Sequence, residues 1–127
     1  NTIGFTKHEE TSGTNVTVDF RDGHKADLAM TSNISGTLKL YFPAVSGNFL
    51  LVVKQDATGS RTIANYEAYE SNGSTLAHND GGTDGDIRWQ GGAEPTFSTG
   101  ANRRDMISFY WDATDRVCYA AYSGNFY

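Results

Sequence analysis

Apolar residues recur at every second position along much of this chain. Val16, Val18 and Phe20 alternate with Thr17 and Asp19, and Ala26, Leu28 and Met30 alternate with Asp27 and Ala29. Leu38, Leu40 and Phe42 alternate in the same way with Lys39 and Tyr41. A period of two sends one set of side chains to a buried face and the other toward water, and so predicts β-strands. No long window carries helical spacing. Turn dipeptides separate the runs: Asp22-Gly23, Ser46-Gly47, Thr58-Gly59, Asn72-Gly73 and Ser123-Gly124. Pro43 closes the run ending at Phe42, where its missing N–H removes no central ladder bond. Roughly eight to ten short strands follow, a pattern that reads as an all-β antiparallel sandwich or barrel.

Two runs depart from simple alternation. In residues 106–111, Ile107, Phe109 and Trp111 share one face while Met106 and Tyr110 share the other with Ser108. In residues 49–53 no polar side chain interrupts at all. A sheet that is wet on one side does not read like this. The inner face is covered by the core, a neighbouring subunit or a larger surface on which the domain sits is the expected cover for the outer one, and oligomerisation is the inference drawn. Met106 and Tyr110 are the candidate oligomer-interface residues.

The 127 residues and 13.8 kDa suit one domain over residues 1–127. Asn1, Thr2, Ile3, Gly4, Phe5 and Thr6 form a short lead ahead of the first strand-like run and are read as an N-terminal arm. The longest apolar run is far too short to span a bilayer as a helix, so no membrane partner is expected. Fifteen acidic and ten basic residues leave a charge of −5, which argues against a nucleic-acid partner because phosphates call for clustered positive charge. The single Cys118 cannot form an internal disulfide and sits in a strand-like run, where a thiol acts as a small hydrophobe.

Candidate chemistry is sparse. His8, His24 and His78 lie in different segments without metal-ligand spacing. The stretch from Asp80 to Asp86 is rich in Asp and Gly, as a calcium loop can be, but lacks the EF-hand order of ligands. Glu9, Glu10, Glu67 and Glu70 carry no signature that would converge two of them across a sugar. Neither a Gly-x-Ser-x-Gly elbow nor a phosphate-binding Gly-rich loop occurs. No catalytic residues, metal or cofactor are expected. Trp89, Tyr66 and Tyr69 are the aromatics considered for stacking on a glycan. Three Asn-x-Ser/Thr triplets, at Asn15, Asn33 and Asn72, are read as chance matches in a chain rich in these residues.

Two longer stretches carry a resemblance. One runs from Leu50 through Gln55-Asp56-Ala57-Thr58-Gly59-Ser60-Arg61 to Ile63. The other runs from Trp89 through Gly91-Gly92-Ala93-Glu94-Pro95 and Ser98-Thr99 to Asp105 and the aromatic strand after it. Together they resemble a β-domain of tailed-bacteriophage virion proteins found in capsid decoration proteins, head fibres and tail fibres. The resemblance implies a jelly-roll-like β-sandwich assembled as a homotrimer, with no enzymatic activity. It also implies a place on the outer capsid surface of a virion assembled in the bacterial cytoplasm. The function expected first is a capsid decoration, or cement, protein that contacts the major capsid protein. The alternative is the receptor- or glycan-binding knob of a tail or head fibre. The motif residues Gln55, Asp56, Gly59, Ser60, Arg61, Trp89, Gly91, Gly92, Pro95 and Asp105 are expected to hold the fold. Asp56 suits a turn whose N–H groups its carboxylate caps, with Arg61 paired to it.

Overall fold

The computed structural model describes residues 7–78 and 83–126. The alternating runs form strands β1 His8–Thr11, β2 Val16–Asp19, β3 Lys25–Met30, β4 Ile34–Tyr41, β5 Gly47–Gln55 and β6 Ile63–Tyr69. Three more follow: β7 Arg88–Trp89, β8 Arg104–Asp112 and β9 Val117–Phe126. A 3-10 turn, Gln90–Gly92, is the helical element among the described residues. One sheet has the order β1-β3-β5-β8-β9-β7 and the other β2-β4-β6.

The first six strands alternate between the two sheets, and each from β3 onward lies parallel beside the strand two before it. The chain therefore winds as a flattened two-sheet coil. This corrects the antiparallel part of the expectation: among the described strands, the pairs β5–β8 and β8–β9 are antiparallel, whereas β7 joins β9 in parallel. The physical reason is that side-chain alternation has period two in either direction of pairing. What decides is where each loop goes, and here the loops cross to the opposite sheet. Neighbouring residues are 18 positions apart in the first turn (His8 beside Ala26) and 22 in the next (Val16 beside Leu38). The spacing then widens to 25 (Ala26 beside Leu51) and 28 (Leu38 beside Tyr66).

Side chains in the corners join successive turns. Asn15 Oδ1 accepts the Thr37 N–H at 2.9 Å, and Asn33 Oδ1 accepts the Thr62 N–H at 3.0 Å. The two asparagines hold equivalent places, immediately before β2 and β4. Ser12 Oγ accepts the N–H groups of Thr31 and Ser32 at the opposite corner. Asn72 braces its own turn by accepting from Ser74 and Thr75. All three triplet asparagines thus have a local structural task.

The inward residues of both sheets form one apolar core. Phe20, Phe42, Phe109 and Trp111 occupy its centre, with the Phe42 and Trp111 rings stacked at 5.0 Å and 10°. The Trp111 indole N–H donates to the Pro43 carbonyl at 2.9 Å, which satisfies a polar group that burial would otherwise penalise. Cys118 is fully buried, and burial pushes its thiol well above its ordinary range. On β1 the inward positions are His8 and Glu10, so the first strand closes the coil with polar side chains. That discourages further strands from pairing at this edge.

Candidate functional site

The two stretches that carry the resemblance lie far apart in sequence, and the fold brings them together. Gln55 is the last residue of β5 and is buried. Its side-chain oxygen accepts the Arg61 N–H at 3.0 Å, and its amide nitrogen donates to the carbonyls of Arg61 (2.7 Å) and Ser98 (3.2 Å). One side chain thereby clamps the turn after β5 and ties it to the loop before β8. Backbone bonds complete the union: Ser60 N–H to Thr99 O, Asn102 N–H to Asp56 O, and Gln55 N–H to Arg103 O.

Asp56 folds the turn itself. Its Oδ1 accepts the N–H groups of Thr58 (3.1 Å) and Gly59 (2.9 Å), and its Oδ2 meets the Arg61 guanidinium at 3.0 Å. The hydrogen bond from Arg61 and that from Gly59 hold this carboxyl below its ordinary range. Gly59 has φ +71°, and a Cβ there would lie 2.6 Å from the Thr99 carbonyl oxygen. Glycine is required for both conformation and space. Ser60 also adopts a positive φ.

Asp105 anchors the far side. It is 2% exposed, and its carboxylate accepts from Ser98 N–H (2.6 Å), Asn125 N–H (2.7 Å) and Tyr122 O–H (3.1 Å). The pairing of β8 with β9 slips beside it, between Arg104 and Met106. Ser123-Gly124 therefore lies within β9 at a bulge and not at a turn. A Cβ at Gly124 would sit 2.5 Å from Asp105 Oδ1 and closer still to the Tyr122 hydroxyl.

The remaining motif residues shape the loop between β7 and β8. Trp89 packs edge-on against Tyr66 at 5.4 Å and lies 6.4 Å from Phe97. Gly91 and Gly92 have φ +79° and +80° with open space around them, so they serve conformation alone. Pro95 is half-buried in the same loop. Tyr66 is buried, and burial raises its phenol far above the ordinary value. Tyr66, Trp89 and Tyr69 do not form an exposed stacking surface: Tyr69 is half-buried against Tyr41 on the second sheet.

The outer face of the larger sheet is different. Leu50 and Val52 of β5 and Met106 of β8 are half-buried on this face, with Val52 directly beside Met106. Toward one end, Tyr110 and Tyr119 are 44% and 42% exposed, opposite one another across β8 and β9. Their rings are 6.1 Å apart and 24° from parallel. A groove of about 520 Å³ runs beside them, with Asn48, Arg88, Trp89 and Gln90 among its walls. Tyr119 had no distinguishing signal in the sequence, because its partner depends on the β8–β9 register. At the other side of this sheet Asp27 is nearly buried between the Nζ groups of Lys7 (2.5 Å) and Lys54 (3.1 Å). Burial pushes the Asp27 carboxyl up, but hydrogen bonds from the two lysines outweigh it and leave the group below its ordinary range.

Among the described residues no three His, Cys, Asp or Glu side chains gather in a metal-ligating cluster. Asp84 lies 3.4 Å from His78, and part of the Asp80 to Asp86 stretch falls outside the described residues. The arm, Asn1, Thr2, Ile3, Gly4, Phe5 and Thr6, also lies outside them. No family model, no curated protein and no solved structure matches this chain.

Proposed function

We propose that this chain is a non-enzymatic structural component of a tailed-phage particle, first of all a cement protein on the outer surface of the head. The observation that carries the reading is the clasp. Gln55 ties the turn after β5 to the loop before β8, Asp56 and Gly59 shape that turn, and Asp105 anchors the loop to β9, as expected of a folding signature. The outer sheet face supplies the second support. Leu50, Val52 and Met106 offer a half-buried apolar strip, bordered by Lys25 and Asp27 on β3, that is suited to a second copy of the chain, and a homotrimer is the proposed assembly. A cement protein works by bridging capsomers, so that interface formed on the intact shell stabilises it by mass action.

The test uses empty or expanded heads of the parent phage. The protein should bind them and raise their resistance to heat, and deletion of residues 1–6 should abolish binding while sparing the oligomer. A chain that ignores heads contradicts the cement reading. One observation favours a second reading, the knob of a tail or head fibre: the exposed Tyr110–Tyr119 pair beside an open groove is suited to a ligand. A knob would compete with phage for adsorption to host cells, with or without residues 1–6.

A further inference from the structure

We infer that the groove beside Tyr110 and Tyr119 is a binding site for a neutral hexopyranose chain, an inference that rests on the fibre-knob reading and gives it a ligand class.

Two large aromatic side chains stand opposite one another on adjacent strands and remain more than two-fifths exposed. Their near-parallel rings present flat apolar surface to solvent. Water solvates such surface poorly, so a ligand with a matching flat, weakly polar face gains by covering it. The C–H faces of a pyranose have that character. The groove walls supply what its hydroxyl groups need: the amides of Asn48 and Gln90 and the hydroxyl of Ser108. Each of these can donate and accept, which matches hydroxyls that do both. A few fixed polar groups around an apolar floor is the usual composition of a small-molecule site.

Charge narrows the choice. The chain carries −5, so a long polyanion approaches against the field of the whole protein, and among the described residues Arg88 is the one charged side chain in the groove wall to offset it. A neutral sugar chain meets no such penalty. Tyr110 and Tyr119 lie in a different cross-strand row from Val52 and Met106. The groove therefore adjoins the surface proposed for self-assembly, with Ser108 in its wall paired to Leu50, and Tyr110, expected at that interface, is assigned to the groove.

Trp89 lines the groove and gives an intrinsic fluorescence readout. The full chain would be titrated with cellotetraose and with β-1,4-galactotetraose. Tetragalacturonate and a proline-rich decapeptide would serve as comparison probes. At least one neutral sugar should give a saturable change with a Kd on the order of 1 mM or tighter. Tyr119→Ala, at an exposed position, should weaken it at least about tenfold, the loss of roughly one aromatic contact. Gln90→Ala should weaken it less, and both variants should retain the parental Tm. No saturable change with either neutral sugar overturns the inference, as does a response that Tyr119→Ala leaves intact. Stronger binding of the decapeptide or the uronate overturns the ligand class. Host-cell binding separates this outcome from the fate of the knob reading. Cell binding that survives Tyr119→Ala keeps the knob and removes the groove, whereas sugar binding without cell binding does the reverse.

Discussion

The Ser98 N–H donates to Asp105 Oδ2 at 2.6 Å, so the loop before β8 closes onto that strand's own second residue. The same carboxylate holds the β9 bulge through Asn125. Loop and bulge therefore share one buried acceptor. Asp105→Ala would leave two backbone N–H groups and a tyrosine hydroxyl without their partner. The expected cost is about 2–4 kcal/mol, measured by urea denaturation. A loss below about 0.5 kcal/mol would show that the loop is held by other contacts.

Gly59→Ala should destabilise as well, because the left-handed backbone costs about 1–2 kcal/mol and the new Cβ meets the Thr99 carbonyl. Gly91→Ala is the informative comparison. Its φ is similarly positive, yet nothing lies within 4 Å of the added Cβ. Only the conformational part should remain, so thermal denaturation should rank Gly59→Ala clearly below Gly91→Ala. Equal losses would mean that the close approach of the two loops contributes nothing.

Stability should form a plateau in pH with two defined edges. Asp19, Asp27 and Asp56 each have a carboxyl lowered from the ordinary 3.8. Such groups bind fewer protons in the folded state than in the unfolded one, so they stabilise above 3.8 and that contribution disappears as pH falls through their folded values. On the alkaline side, burial keeps the Cys118 thiol and the Tyr66 phenol protonated in the fold. The unfolded chain releases those protons near 9.0 and 10.0, so stability should decline as pH rises past this range. Chemical denaturation at stepped pH checks both limbs. A stability that grows as pH falls below 3.8, or that grows as pH rises past 10.0, contradicts these assignments.

Assembly should depend on the apolar strip of the larger sheet. Light scattering should give three times the 13.8 kDa chain mass. Met106→Glu puts a charge within this strip and should yield a folded monomer whose Tm no longer depends on protein concentration, since Met106 is only half-buried. A parental chain that stays monomeric at micromolar concentration removes the interface.

The strands were legible in the sequence because alternation at Val16, Val18 and Phe20, or at Leu38, Leu40 and Phe42, depends only on which face is buried. Both faces of residues 106–111 were legible for the same reason. The coil was not, since its turns lengthen from 18 to 28 residues and leave no fixed period to detect. Ser123-Gly124 read as a turn because the bulge that needs it exists only once Asp105 is in place. Asp56 and Arg61 were legible as a pair, being local. The bonds from Gln55 to Ser98 and from Asp105 to Asn125 are long-range, so no spacing rule could have found them. The Tyr110–Tyr119 pair is likewise a product of register.

Electron microscopy of intact particles labelled with an antibody raised against this chain tests the central claim most directly. The cement reading predicts label distributed over the head surface. Label confined to fibre tips would contradict that placement and support the knob. Particles that carry no label at either place would contradict a structural role in the virion altogether.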